Sequence, residues 1–169
     1  MTTFTVRKAR PEDTQSIENL IQAAFADMPL SDGQESLLVH NLNANHDVVL
    51  ELVAVQAGEI IGHILFSPAT ICGQSVLALA PLSVAPQWQR QGVGKALILA
   101  AHRQIKTMNY AAIVVLGHPD YYARFGYLPA EDYNISAPFE LPEGVLRVLP
   151  LVKNVPQGEI HYATAFGLN

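Results

Sequence analysis

The sequence is short of cysteine, tryptophan and charge, and each shortage removes a class of protein. Cys72 is the lone cysteine, so no internal disulfide can form, and no C-x-x-C pair offers a zinc site. A reducing, cytoplasmic setting is expected. No apolar stretch reaches the roughly 18 residues that span a bilayer, because Gly, Pro, Gln or a charged residue interrupts each one, and no membrane association is expected. Met1 to Lys8 places its basic residues after the first apolar ones and carries no h-region or small-residue cleavage site, so secretion is not expected. Charged residues make up 15%, with Lys+Arg 10 against Asp+Glu 15 for a net charge of −5. The cations form no stripe, which removes the long-range attraction that nucleic-acid binders rely on.

What is abundant is apolar surface. Half of the 169 residues are hydrophobic, enough for one packed core in a single domain spanning 1–169. Phe4 to Ala9 alternates weakly, as a first strand does. Pro11-Glu12-Asp13 suits a helix N-terminus, and Ile17, Leu20, Ile21, Ala24 and Phe25 recur at helical spacing up to Pro29. Ser31-Asp32-Gly33-Gln34 has capping-box spacing ahead of a second helix through Leu37, Leu38 and Leu42 toward Asn45. The texture then changes to strands at 49–55 and 60–66 around a Gln56-Ala57-Gly58-Glu59 turn, and a third from Val76 through Ala85 completes a meander. This third strand is apolar almost throughout, as expected of one buried on both faces. A helix from about Val93 toward Asn109, a β-branched strand over Ala111 to Leu116 and a short helix within His118 to Phe125 follow. The proline-rich remainder predicts irregular segments with strands near Val145 to Val152 and Ile160 to Phe166.

The chemically informative unit is Gln89-Arg90-Gln91-Gly92-Val93-Gly94, between a buried strand and the head of a helix. Unpaired backbone N–H groups and the positive end of a helix dipole converge at such a place, glycines let phosphate oxygens approach the main chain, and Arg90 and Lys95 add charge. A tight turn packed on the sheet would use the same glycines. A Walker loop would need G-x-x-x-x-G-K-[ST], and a dinucleotide fingerprint a third glycine where Leu97 stands; neither pattern is present.

Gln89, Gly92 and Gly94 match the [Q/R]-x-x-G-x-[G/A] signature of the Gcn5-related N-acetyltransferase (GNAT) family, which the chain resembles. Tyr122-Ala123-Arg124-Phe125-Gly126-Tyr127 is similar to that family's Y-x-[R/K]-x-G-[F/Y] segment. With the β-α-α-β-β-β-α-β-α-β order, the resemblance covers a core of about 4–129, leaving C-terminal strands at about 130–169. Ala80 to Pro86 and Gly117 to Tyr122 look like those of the bacterial YhbS-type predicted acetyltransferases. The fold implied is α/β (α+β): a mixed, mostly antiparallel central sheet flanked by about four helices and splayed between the fourth and fifth strands.

The resemblance implies acetyl-CoA as co-substrate, no metal, and transfer of the acetyl group to a primary amine of a small molecule or peptide by direct attack; the alternative is a non-catalytic acyl-CoA-binding or regulatory module. The main chain of Leu82, Ser83 and Val84 would hold the pantetheine arm, with Val84 N–H polarising the acetyl carbonyl. Gln89, Arg90, Gln91, Gly92, Val93, Gly94 and Lys95 would hold the pyrophosphate. Tyr122 takes the place of the acid that protonates the departing thiolate; a packing role beneath the cofactor is the other reading. Relatives carry a glutamate on the fourth strand, but Val76 to Ala85 contains no acid, so Glu35 or Asp32 at the start of the second helix becomes the candidate base. The other reading, which the sequence favours, is a solvent-facing acid that complements the helix dipole. The histidines lack ligand-like spacing, and a monomer or a homodimer is compatible with the sequence.

Overall fold

The apolar positions of the first helix fall on one face, and Ile17, Leu20, Ile21 and Ala24 are all buried. In the computed structural model, which describes residues 3–26 and 33–167, strand β1 (Thr5–Lys8) leads through a 3-10 turn at Pro11–Asp13 into helix α1 (Thr14–Phe25). The junction is tied by Asp13, whose carboxylate accepts both guanidinium arms of Arg7, at 2.7 and 3.0 Å, and the Arg10 amide at 2.7 Å. The hydrogen bond from Arg7 holds the Asp13 carboxyl below the usual carboxylate range. Helix α2 spans Glu35–Ala44; the expected capping residues Ser31 and Asp32 lie outside the described residues.

The meander follows as β2 (Leu50–Gln56), β3 (Glu59–Ile71) and β4 (Gln74–Val84). Helix α3 (Val93–Ile105), β5 (Ala112–Leu116) and the short α4 (Pro119–Ala123) come next, then β6 (Leu128–Pro129), β7 (Ile135–Ser136), β8 (Leu146–Pro150) and β9 (Gly158–His161). The main sheet runs β1-β2-β3-β4-β5-β8-β6, while β9 pairs with β3 and with β7. Only the β4–β5 and β7–β9 ladders are parallel among those formed. Three expectations are corrected. α3 ends at Ile105, its last buried residue, and the chain turns at Lys106 rather than at Asn109. The strand expected up to Phe166 stops at His161, and Thr164–Phe166 coils as a 3-10 turn. β4 is closed on both faces only through Leu79; Ala80, Leu82 and Val84 are half-buried.

The sheet carries a different layer on each face. Val53 and Leu65 pack under α1 and α2, whereas Leu52, Ala54, Ile64 and Phe66 pack under α3 with Val93, Leu97 and Ile98. A third cluster joins Val76 and Ala78 to Val114, Val148 and Ile160. No helix among the described residues is long and apolar enough to cross a membrane.

The approach of α3 to the sheet is set by Gly62. A Cβ there would lie 2.7 Å from Val93 Cγ1 and 3.0 Å from Leu97 Cδ1, atoms at the very start of the helix. Gly62→Ala is therefore expected to destabilise the fold by about 1–3 kcal/mol through overpacking, read as a lower urea midpoint at unchanged slope. A midpoint equal to that of the parent protein would show that the helix moves freely off the sheet.

Candidate active site

β4 outruns its parallel partner. Leu77, Ala78 and Leu79 pair with Ile113, Val114 and Val115, and the β4–β5 ladder ends there, although β4 continues to Val84 along β3. Beyond Leu79 one edge of β4 is thus unpaired among the described strands. Alternation decides which residues use it. Ala85 N–H bonds to Ile61 C=O on β3, so two residues back Ser83 also turns its main chain to β3, while Leu82 and Val84 turn theirs to the open edge. Of the three residues expected to present backbone there, the geometry selects Leu82 and Val84. The Val84 carbonyl already accepts Gln89 Nε2 at 3.3 Å, which ties the end of the strand to the next loop.

That loop runs through a 3-10 turn at Pro86–Trp88 into a left-handed pair, Arg90 at φ 64 and Gly92 at φ 86. Gly92 is the N-cap of α3 and supplies no side-chain cap. The first helix-type bond runs from Ala96 N–H to Gly92 C=O, so the amides of Val93, Gly94 and Lys95 precede the ladder and point out of the helix end. No acid lies in the first turn, and Arg90, Gln91 and Lys95 are exposed. A concave set of N–H donors with adjacent cations at a helix dipole is suited to a diphosphate.

The opposite wall comes from α4. Gly117, at the end of β5, lies directly under the Tyr122 ring, so closely that a Cβ would overlap it, and a Cβ at Gly94 would come within 2.5 Å of the Tyr121 hydroxyl. Two glycines thereby let the tyrosine pair close on the splay and on the cradle. Tyr122 is 8% exposed and stacks edge-on against Tyr121 and Tyr127, centroids 5.1 and 5.6 Å apart. Burial pushes its phenol well above the ordinary value, so it holds its proton at neutral pH. Behind it, burial lowers His102 to about 4; its Nε2 shares a hydrogen bond of 2.9 Å with the Tyr127 hydroxyl. Arg124 lies 4.8 Å over the Tyr121 ring.

The acid candidates fare differently. Glu35 is half-buried and lines a cavity with Ile21, Phe25 and Ser36 at the junction of α1 and α2; Asp32 lies outside the described residues. What the motif reading missed is a pair on the α1–α2 side of the sheet, the partly exposed Glu51 and the fully buried His63, with His63 Nε2 2.7 Å from Glu51 Oε2. The signal was present: Glu51 and His63 are ionisable residues within two largely apolar strands, and strand alternation puts them on one face.

Comparison with known proteins agrees with this geometry. Residues 47–129 match the acetyltransferase (GNAT) domain. The chain is 30% identical over 156 residues, 90% of each protein, to the uncharacterized N-acetyltransferase YhbS of Escherichia coli K12, and 34% identical to YjhQ of the same strain over 83% of this chain and 78% of that one. The crystal structure of Escherichia coli YhbS in complex with CoA superposes with a TM-score of 0.90 at 27% identity, covering 99% of this chain and 93% of that one. A GNAT acetyltransferase from Brucella melitensis in complex with acetyl-CoA gives 0.85 at 32% identity over 98% and 99%. Sequence likeness over nine-tenths of both chains, together with the splayed sheet, establishes that this chain belongs to the GNAT family of N-acetyltransferases.

Proposed function

We propose that the protein binds acetyl-CoA along the open edge of β4 and transfers its acetyl group to a primary amine of a small molecule or peptide by direct attack. The observation that carries this reading is the continuity of the unpaired edge at Leu82 and Val84 with the amide cradle at the start of α3. An amide-bearing arm adds to a strand edge by main-chain hydrogen bonds. A diphosphate at its far end then falls among the N–H groups of Gly92 to Lys95, with Arg90 and Lys95 beside it. The two CoA-containing relatives support the same cofactor. Val84 N–H polarises the acetyl carbonyl, a donor fixed in place before the reaction starts. The lone exposed cysteine, Cys72, fits a reducing compartment, and we place the activity in the cytoplasm.

The chemistry needs no covalent enzyme intermediate. The uncharged amine attacks the thioester carbon, the C–S bond breaks, the thiolate takes the Tyr122 proton, and the proton shed by the new amide nitrogen restores the tyrosine through solvent. An ordinary phenol at about 10 lies above a thiol at about 8.5, and burial raises the tyrosine further. The same dry cleft raises the basicity of the leaving thiolate, so the transfer remains accessible.

Calorimetric titration with acetyl-CoA is expected to give a Kd of about 1 μM, near −8 kcal/mol, and no measurable heat with S-acetyl-N-acetylcysteamine, which keeps the thioester and lacks the pyrophosphate. Gly92→Glu, placing bulk and negative charge in the cradle, is expected to abolish binding; unchanged affinity would remove the cradle. Tyr122→Phe is expected to lower kcat about 10- to 100-fold with the CoA Kd unchanged, read by thiol release with spermidine, free lysine or a peptide bearing a free N-terminus. Equal turnover in the two forms would refute the acid role, and binding without thiol release to any amine would favour the non-catalytic module.

A further inference from the structure

Arg147, on β8, is 9% exposed and is the one buried lysine or arginine among the described residues; none of their carboxylates pairs with it. Register sets it opposite Val115 on β5, and with Leu149 it belongs to the face that meets α3. Val115 and Leu149 show what such a position ordinarily takes, an apolar side chain. A guanidinium without a counter-ion is destabilising there unless its donors are satisfied. All three of its nitrogens donate to main-chain carbonyls: Nε and Nη2 to Tyr127 C=O at 3.3 and 3.2 Å, and Nη1 to Gly144 C=O at 3.1 Å.

Both carbonyls belong to segments that brace Tyr122. The Tyr127 amide donates to the Tyr122 carbonyl at 3.3 Å, and the two rings meet edge-on with centroids 5.6 Å apart. Tyr127 is itself fully buried, its hydroxyl bonded to His102 of α3. On the other side Gly144, at φ 86, turns the chain toward β8, and its amide donates to Glu131 Oε1 at 3.2 Å. The next carbonyl, that of Val145, accepts the Gly117 amide at 3.1 Å, and Gly117 is the residue on which the Tyr122 ring rests. One planar side chain thus ties the segment beside the phenol to the segment that holds the backbone beneath it. Arginine can span the two because its donors form a rigid fork, whereas lysine has one rotating ammonium.

We propose that Arg147 is a positioning residue for acetyl transfer, holding Tyr122 in place through Tyr127 and Gly144; the inference rests on the acid role read for Tyr122 above. The guanidinium fixes the separation of Tyr127 from Gly144, and with it the seat of the ring packed between Tyr127 and Gly117. Misplacing a reacting group by a fraction of its contact distance lowers the rate steeply. Loosening the seat therefore slows turnover while the cofactor cradle, at the start of α3, is left intact. Arg147 lies outside residues 47–129, the part of the chain that matches the family domain.

The test is a double-mutant cycle on kcat, measured by thiol release with whichever of spermidine, lysine or the peptide the parent protein acetylates best. Arg147→Met keeps the length of the side chain and removes its donors. With Tyr122 present it is expected to lower kcat about tenfold, with KM for the amine and the calorimetric Kd for acetyl-CoA unchanged. In the Tyr122→Phe background the same substitution is expected to change kcat by less than about twofold, because the hydroxyl it would misplace is already gone. Should Arg147→Met fail to fold, Arg147→Lys, which keeps the charge and one donor, runs through the same cycle and decides; if neither folds, the residue serves the fold and the proposal is overturned. An equal loss in both backgrounds, a weakened Kd for acetyl-CoA or an unchanged kcat would overturn the positioning role and leave acetyl transfer standing. Equal turnover of the parent protein and Tyr122→Phe would overturn the acid role and this inference with it. A parent protein that binds acetyl-CoA yet releases no thiol with any amine would overturn the transfer reading as well.

Discussion

The constraint on which the site depends is the loss of pairing between β4 and β5 after Leu79. A parallel ladder continued to Val84 would consume the N–H and C=O groups of Leu82 and Val84, and no extended ligand could add to them. The rest of the molecule holds that edge open without letting it collapse. On one side β3 pairs with β4 as far as Val84. On the other, β5 is drawn away into its antiparallel ladder with β8 over Ala112 to Leu116, and β8 in turn carries β6. The C-terminal strands thus supply the lateral partner that β4 gives up.

Two close approaches convert the open edge into a site. At Gly62, α3 comes near enough to the sheet that its first residues sit over β3, which brings its amide-bearing end alongside the end of β4. At Gly117 and Gly94, the side chains of α4 rest on backbone, so the Tyr121–Tyr122 pair spans from the end of β5 to the start of α3. The aromatic contacts continue through Tyr127 to a neutral His102. This packing explains how a helix of five residues, too short to be stable alone, presents a fixed phenol.

The two faces of β4 meet different layers. Leu82 and Val84 pack toward the α3 layer, and their main chain borders the open edge; Ser83 points to the α1–α2 layer, where the Glu51–His63 pair lies. Period-2 alternation is sufficient to give adjacent residues of one strand different faces and different edges.

By itself the sequence determined the order of elements, the helix-opening cradle and the tyrosine segment, because each is local: the glycine spacing of Gly92 and Gly94, the 3.6-residue recurrence in α1 and the β-branched run of β5 act over a few residues. It also excluded an internal disulfide. What the tertiary structure decided is non-local. The end of α3 at Ile105 follows from where core contact stops, since Lys106 to Asn109 would be as acceptable in a longer helix. Main-chain direction at Ser83 depends on which residues of β3 it meets, and the pairing of Glu51 with His63 depends on hairpin register together with a bulge between Ala54 and Val55. A one-residue slip would send these side chains to opposite faces, so the Glu51–His63 contact exists only once the strands have locked together.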